Sequence, residues 1–291
     1  MKIQFLNGGL GNQLFQYIFA RFVEIESGEN CFLDDSFFGI TKQHNGYEIE
    51  KVFPNAIPHL LSKEFSSSGW NYFMENCGKG IGICQSIKDS GLDIAIVAET
   101  YNFQFDGNFI MLPTNEFIPS IASSQGNIYY HGYWINRNWL YTHFDTIANE
   151  LTFSKINDDR NRRYEQKILE STSVSIHIRR GDFVKLYRSM PSSFYYDAMK
   201  NISELLPDAT YFVFSDEIDW CKANAEELGF GFANGRVVYV EGNVKGRNYI
   251  DMQLMSLCHG MIISKSAFSY LAALLNRDER KIVVNPSTIE I

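Results

Sequence analysis

Two adjacent arginines, Arg179 and Arg180, follow a short apolar stretch in the second half of the chain. Residues 174–178 alternate apolar and polar side chains, which predicts a β-strand that ends at the arginines. Ligands of open α/β sheets bind at the carboxyl ends of strands. A guanidinium there offers a planar fork of N–H donors that suits a phosphate or a carboxylate. The residues alone fit either an anion-binding site or an exposed Arg-Gly-Asp turn with solvated charges.

Two further predicted strands of the second half also end in polar residues. One ends at Ser215 and Asp216, and the other is followed by Ser264-Lys265-Ser266. If these strands and the arginine strand are parallel neighbours, their ends line one crevice. Such a set suits a nucleotide diphosphate, with arginine and serine at the phosphates and Asp216 accepting hydrogen bonds from the N–H groups of guanine. The alternative for Ser264 and Ser266 is that they only cap the next helix.

A glycine-rich loop, Asn7-Gly8-Gly9-Leu10-Gly11-Asn12, follows the first predicted strand at residues 3–6. A helix is predicted to begin near Asn12, with Leu14, Ile18, Phe22 and Ile25 facing a sheet. Glycines let a backbone approach a ligand closely, and a helix start presents free N–H groups to an anion. The loop lacks both the full Gly-x-Gly-x-x-Gly pattern and the Gly-Lys-Ser/Thr of a P-loop. It therefore fits a nucleotide-binding loop or a tight structural turn.

The bulk composition excludes some classes of protein. The chain has 291 residues and a net charge of −8, which argues against general nucleic-acid binding but allows a local cationic pocket. Its five cysteines are scattered without a Cys-x-x-Cys pair, which predicts buried free thiols in a reducing compartment. The N-terminal apolar run is too short for a signal peptide, and no run approaches the ~18 apolar residues of a membrane span. A cytoplasmic protein is therefore expected.

The order of the predicted elements indicates the fold class. Strands and helices alternate along the chain, most regularly in the second half, which predicts doubly wound parallel sheets. The charged stretch Asn157 to Arg163 lacks apolar periodicity and is the best linker candidate. We therefore expect two domains, residues 1–160 and residues 161–291.

Several of these segments together resemble the glycosyltransferase family 11 α-1,2-fucosyltransferases, which use GDP-fucose. The matching segments are residues 8–17, Gly132-Tyr133-Trp134, residues 177–184, residues 212–216 and residues 264–269. They span nearly the whole chain in the family's order, and the first and third are the most specific. Tyr270 and Ile135 depart from the usual Trp and Gln, which leaves the acceptor preference open.

The resemblance implies a GT-B fold, that is, two Rossmann-like domains facing across a cleft. The acceptor would bind mainly to residues 1–160 and GDP-fucose mainly to residues 161–291. Arg179 would contact the β-phosphate and, with Asn12, is a predicted catalytic residue. The predicted donor-binding residues are Gly9 and Gly11 in the first domain, His177 beside the nucleotide, Asp216 at guanine, and Ser264 or Ser266 near the phosphates.

The implied reaction is inverting transfer of L-fucose from GDP-β-L-fucose to a sugar hydroxyl, the 2-OH of a terminal galactose, in the synthesis of a bacterial surface glycan such as O-antigen or capsule. Arg179 and helix N–H groups would stabilise the leaving phosphate in place of Mg²⁺, so no metal and no other cofactor is expected. The expected partners are GDP-fucose and a galactose-containing glycan, with peripheral membrane contact through a lipid-linked acceptor. The pattern does not assign the general base, for which His131, Asp34 and Asp35 are candidates.

Three alternatives stay open at this point. The enzyme could transfer fucose to another acceptor or in another linkage. The chain could also be a non-catalytic module that binds nucleotide sugars or glycans. A dinucleotide-dependent oxidoreductase is disfavoured by the incomplete glycine pattern.

Overall fold

The computed structural model describes residues 1–42, 44–78, 82–89, 91–99, 109–112, 122–135 and 137–286. The chain divides into two compact units, Met1–Ser154 and Lys155–Ile291. The sequence places the domain boundary slightly later, at 160/161, which falls within the helix Asp159–Leu169.

Unit 1 is built around one parallel sheet. Its described strands are β1 (Lys2–Phe5), β2 (Cys31–Asp34), β3 (Ala95–Glu99), β4 (Phe109–Leu112) and β5 (Ile128–His131). Its described helices are α1 (Leu10–Ser27), α2 (Ser36–Ile40), α3 (Ile49–Val52), α4 (Leu61–Glu64), α5 (Ser67–Gly78), α6 (Ile83–Asp89), α7 (Arg137–Leu140) and α8 (Phe144–Ala148). The strand order is β2-β1-β5-β3-β4. The chain leaves β1 toward one edge of the sheet and β3 toward the other, so the loops after these strands diverge on either side of β5, an arrangement that opens a crevice at the carboxyl ends.

Unit 2 repeats this architecture with a second parallel sheet. Its described strands are β6 (Ser173–Ile178), β7 (Thr210–Ser215), β8 (Val237–Tyr239), β9 (Gly260–Ile262) and β10 (Ile282–Val284). Its described helices are α9 (Asp159–Leu169), α10 (Gly181–Lys185), α11 (Ser192–Leu205), α12 (Ile218–Ala223), α13 (Tyr249–Met255) and α14 (Ala267–Leu275), with a 3₁₀ turn at Phe230–Ala233. The order β10-β9-β6-β7-β8 reverses direction between β6 and β9. The three polar strand ends predicted from the sequence therefore belong to parallel neighbours.

The central strand β6 is more deeply buried than its alternating sequence predicts. All six of its residues are buried, including Ser175 and His177. The reason is that a parallel sheet of this kind is covered on both faces, so polar as well as apolar positions lose contact with solvent.

Helix α1 corrects two details of the sequence interpretation. The helix begins at Leu10 after Gly9, so Asn12 lies in its first turn and is not the N-cap residue. Three of the four predicted core residues are buried, but Ile25 is 38% exposed. An 18-residue helix is about 27 Å long, which is longer than a four-residue strand, so its last turn extends beyond the sheet.

The stretch predicted to be a linker is largely helical, so that prediction is wrong. Asp158 caps α9 by accepting a hydrogen bond from the N–H of Asn161 at 3.0 Å. Its carboxylate also pairs with Arg247 at 2.5 Å. The charged residues that the sequence predicts to be a linker therefore cap a helix and hold it in place, which composition alone does not distinguish.

Four of the five cysteines are free thiols, of which Cys31, Cys221 and Cys258 are buried and Cys77 is partly buried. The side chain of Cys84 lies outside the described residues. In the described part of the chain, no helix is both long and apolar enough to cross a membrane.

Candidate functional site

The reversal of strand order between β6 and β9 brings an imidazole and a hydroxyl together. Ile176 pairs with Ile262 in the sheet, so the residues that follow on both strands lie side by side. The Nδ1 of His177 and the Oγ of Ser264 are 2.7 Å apart in a buried hydrogen bond. Burial, followed by the charge of Arg179, lowers the pKa of His177 to about 3. His177 is therefore neutral at physiological pH and supports the site by hydrogen bonding.

Arg179 lies just past the end of β6 and presents its guanidinium to two carboxylates. Its Nη1 is 2.7 Å from Oδ2 of Asp216, and its Nη2 is 2.6 Å from Oδ1 of Asp182. The Arg179 side chain is 32% exposed, so it is open to solvent on one side. The site therefore contains a planar cationic fork whose present partners are oxyanions, the class of group predicted to bind there.

The second arginine of the pair has a different environment. Arg180 donates from Nε to Glu217 at 2.9 Å. Its guanidinium carbon lies 3.4 Å from the centre of the Trp220 ring, in cation–π contact. Arg180 is thus held between a carboxylate and an aromatic face and is 20% exposed, so Arg179, at 32%, is the more accessible arginine.

Asp216 holds the turn that carries both arginines. Its Oδ1 accepts a hydrogen bond from the N–H of Arg180 at 2.9 Å, while its Oδ2 pairs with Arg179. A Cβ added at Gly181 would lie 2.7 Å from Oδ2. In this conformation Asp216 contacts the residue predicted to bind phosphate, so reading guanine at the other end of the nucleotide requires that ion pair to open. Both assigned roles remain predictions.

The side chains of the two serines after β9 do not cap helix α14 by hydrogen bonds among the described residues. Ser266 occupies the N-cap position of α14, but its side chain makes no capping hydrogen bond among the described residues. Ser264 is 1% exposed and bonds to His177 and, at 3.4 Å, to Ser269. Capping therefore does not account for the Ser264 hydroxyl.

The predicted glycine loop lies in unit 1 at the carboxyl end of β1. Gly8 has a φ of +77°, and a Cβ there would lie 2.6 Å from the side-chain nitrogen of Asn12. A Cβ at Gly9 would lie 3.3 Å from Nδ1 of His44. The buried Gln13 donates to the carbonyls of Gly8 at 2.9 Å and of Gly46 at 2.8 Å, which fastens the His44 turn to the loop. The glycines thus allow close approach of Asn12 and His44 to the loop backbone.

All three candidates for the general base are engaged in structural contacts. His131 stacks on Phe5 with ring centres 4.6 Å apart, and burial lowers its pKa to about 4. Asp34 accepts a hydrogen bond from the Tyr129 hydroxyl at 2.6 Å, and burial raises its pKa. Asp35 accepts from the Ser62 hydroxyl at 2.5 Å. These contacts favour packing roles for the three side chains.

Two residues at the carboxyl edge of unit 1 were missed from the sequence. His44 gave no signal, because it stands in an irregular stretch and approaches Gly9 only through the fold. Glu99 gave a usable signal, since it ends the apolar run 94–98 just as Asp216 ends the run before it. Its side chain accepts a hydrogen bond from the N–H of Tyr133 at 2.7 Å.

Within the described residues, no group of three or more His, Cys, Asp or Glu side chains is placed to hold a metal ion. The expectation of metal-free transfer stays a prediction.

Each unit is an α/β unit with one parallel sheet. Unit 2 carries the guanidinium of Arg179 and the imidazole of His177 at its switch point, which is the place where open α/β sheets bind ligands. The sequence pattern of the family described as Glycosyl transferase family 11 matches residues 71–290. The chain therefore belongs to glycosyl transferase family 11 and is a glycosyltransferase.

Two curated relatives from Escherichia coli align over nearly the full chain. One is an alpha-1,2-colitosyltransferase, 28% identical, and the alignment covers 97% of this chain and 90% of the relative. The other is the O-antigen biosynthesis glycosyltransferase WbnK, 27% identical, with 97% of this chain and 92% of the relative covered.

A solved structure of POFUT1 in complex with GDP-fucose has a similar fold. Its TM-score is 0.52 at 12% sequence identity, and 99% of this chain and 98% of that chain are covered. At this identity the likeness concerns the fold alone. The predicted fold class, α/β of the GT-B type with two Rossmann-like domains, is confirmed.

Proposed function

We propose that this glycosyltransferase moves L-fucose from GDP-β-L-fucose to a sugar hydroxyl, with inversion at the anomeric carbon. The proposed acceptor is the 2-OH of a terminal galactose in a bacterial surface glycan. The relative named as an O-antigen biosynthesis glycosyltransferase supports the surface-glycan assignment.

The observation that carries this proposal is the meeting of three strand ends in unit 2. Arg179 after β6 pairs with Asp216 after β7, and His177 on β6 hydrogen-bonds to Ser264 after β9, so the ends of three adjacent strands carry two polar pairs. A diphosphate needs a cationic fork and neutral donors at one place, which is the chemistry of these strand ends.

The charge at Arg179 accounts for the chemical step. When the glycosidic bond breaks, negative charge develops on the β-phosphate while the sugar becomes positive. Arg179 would stabilise this leaving group, because a positioned donor acts most strongly where charge develops. The phosphate would replace the carboxylate of Asp182, the more exposed of the two present partners. The good leaving group reduces the need for a strong general base, in keeping with the structural use of the three candidates.

A second donor is favoured by one of the relatives. Colitose is the 3-deoxy form of L-fucose, and the relative named as a colitosyltransferase aligns over 97% of this chain. The cluster around Arg179 would hold the diphosphate of either donor, so the two candidates differ only in the sugar.

The test is incubation of the purified chain with GDP-fucose or GDP-colitose and a panel of β-galactosides, with GDP release and product mass as readouts. We expect transfer of one deoxysugar per acceptor, an α-1,2 linkage by NMR, and undiminished activity in excess EDTA. GDP binding without transfer from either donor to any acceptor would contradict the proposal and favour a non-catalytic module. A strict requirement for Mg²⁺ or Mn²⁺ would contradict the metal-free mechanism.

A further inference from the structure

Glu99 stands at the carboxyl end of β3, beside Gly132, which follows β5. The residue is 3% exposed. Its Oε2 accepts a hydrogen bond from the N–H of Tyr133 at 2.7 Å, and the N–H of Trp134 also donates to the carboxylate. One buried side chain therefore satisfies two successive backbone donors of the turn at residues 132–134.

Gly132 is the residue that lets this carboxylate approach. A Cβ at position 132 would lie 2.7 Å from Cγ and 2.9 Å from Oε2 of Glu99. Trp134 has a φ of +59°, an uncommon backbone conformation for a bulky residue that the surroundings must hold in place. The Glu99 hydrogen bond and the stacking of Trp134 on Phe19, with ring centres 4.3 Å apart, supply this support.

Buried amides join the 132–134 turn to the glycine-rich loop. The carbonyl of Gly132 accepts from Nε2 of Gln4 at 3.1 Å and from Nε2 of Gln16 at 3.3 Å. Gln16 also donates to Oδ1 of Asn7 at 2.7 Å and accepts from the Asn7 N–H at 3.0 Å. A buried network in which each member satisfies several partners is rigid, so movement of the turn is transmitted to the loop.

We propose that Glu99 is a positioning residue for sugar transfer, which fixes the 132–134 turn and, through Gln16, the glycine-rich loop that carries Asn12. Its effect on turnover rests on the proposed function. Glu99 is buried and its carboxylate is used by the turn, so it acts through the backbone and not on the substrate. Burial raises the pKa of Glu99 to about 7, against the lowering effect of the Trp134 and Tyr133 N–H donors.

The first measurement is amide hydrogen exchange of the segments 133–134 and 7–12. Glu99→Gln removes the negative charge and leaves a single acceptor oxygen for the two N–H donors, and Gly132→Ala displaces the carboxylate. We expect exchange at 133–134 to be about tenfold faster in both variants, with a smaller increase at 7–12. Matched controls are Glu75→Gln, at an exposed position of α5, and Gly82→Ala, where no described heavy atom lies within 4 Å of the added Cβ. Both should exchange like the wild type.

The second measurement separates positioning from loss of stability. With the donor that the wild type uses, we expect kcat of Glu99→Gln to fall about 10- to 100-fold, because small displacements of reacting groups are costly. The Kd for GDP should stay within about twofold, because the predicted guanine and phosphate contacts are in unit 2, where the cationic fork is unchanged, and only Gly9 and Gly11 of the predicted donor contacts lie in the perturbed loop. If Glu99→Gln does not fold, Glu99→Asp takes its place, since it keeps the charge but is one methylene shorter.

Unchanged exchange at 133–134 in a folded Glu99 variant overturns the inference, and so does faster exchange with wild-type kcat. If the wild type transfers neither sugar, the proposed function fails. The hydrogen exchange of the two segments then decides the inference alone. Faster exchange at both 133–134 and 7–12 in the Glu99 variants supports it, and faster exchange at 133–134 without any change at 7–12 overturns it.

Discussion

Arg179 and Arg180 are adjacent in sequence, yet their surroundings give them separate tasks. Arg180 is fixed between Glu217 and the ring of Trp220 and its side chain is 20% exposed, whereas Arg179 pairs with Asp216 and Asp182 and its side chain is 32% exposed. The Asp182 carboxylate that pairs with Arg179 is 53% exposed, so an incoming phosphate can displace it more easily than the partners that hold Arg180. The exposed arginine is therefore the one expected to bind phosphate.

Arg179→Lys should lower kcat/KM about 10²- to 10³-fold with the donor that the wild type uses. The reason is that lysine supplies a point charge and cannot reproduce a planar fork that holds Asp216 with one nitrogen and the phosphate with the other. The control is Arg280→Lys, at a side chain that is 87% exposed. Steady-state kinetics at saturating acceptor measure the effect, and a value within twofold of the wild type would show that Arg179 does not bind the leaving group.

At the scale of one element, the turn after β6 depends on its own Gly181 and on Asp216, which follows the neighbouring strand β7. Asp216 reaches across from β7 to bind the backbone N–H of Arg180 and the side chain of Arg179. The register of β6 with β7 pairs Ile178 with Ser215, which sets Asp216 beside the turn. The orientation of Arg179 is thus a property of the strand pair.

Gly181→Ala should displace Asp216 and weaken its hold on Arg179, because the new Cβ would lie 2.7 Å from Oδ2. We expect a loss of about 1 kcal/mol in the free energy of unfolding and a weaker Kd for GDP. Gly231→Ala is the matched control, since no described heavy atom lies within 4 Å of its added Cβ. In an Asp216→Ala background the same substitution should cost nothing further, and additive effects in urea unfolding and calorimetry would refute the coupling.

At the scale of the whole molecule, burial lowers the pKa of a histidine and raises the pKa of at least one carboxyl in each unit. Burial lowers the pKa of His131 to about 4 and that of His177 to about 3. Burial raises the pKa of both Glu99 and Asp251 to about 7. The contribution of the two histidines to the free energy of unfolding falls as pH drops below the pKa of an unfolded histidine. The contribution of the two carboxyls falls as pH rises toward 7, so the two contributions have opposite pH dependence in mildly acidic solution.

Replacing Asp251 should change how the free energy of unfolding depends on pH. Asp251 has its pKa raised from 3.8 to about 7, so the folded state holds a proton that the unfolded state has lost between these values. Its contribution to stability therefore falls as pH rises through that window. Relative to the wild type, Asp251→Asn should gain up to about 1.4 kcal/mol per pH unit between pH 4 and 7. Urea unfolding at four pH values measures the slope, and the exposed Asp208→Asn serves as control. A slope equal to that of the wild type would rule out a buried titration at Asp251.

The sequence by itself determined the parallel α/β class, most strand positions and the three polar strand ends of unit 2. These features follow from local patterns, namely apolar runs of strand length and the polar residues that end them. The resemblance of the glycine-rich and His-x-Arg-Arg-Gly-Asp segments also indicated the family that the comparison confirmed.

Only the tertiary structure decided which arginine is available, that His131 is packed against Phe5, and that Glu99 holds the 132–134 turn. Each of these depends on contacts between residues distant in sequence, as between Glu99 and Tyr133 or between Arg180 and Glu217. Apolar periodicity reports which face of an element is buried, but it does not report which side chain from another element meets it there. The environment that sets the charge and orientation of a functional group is therefore created by strand order and register.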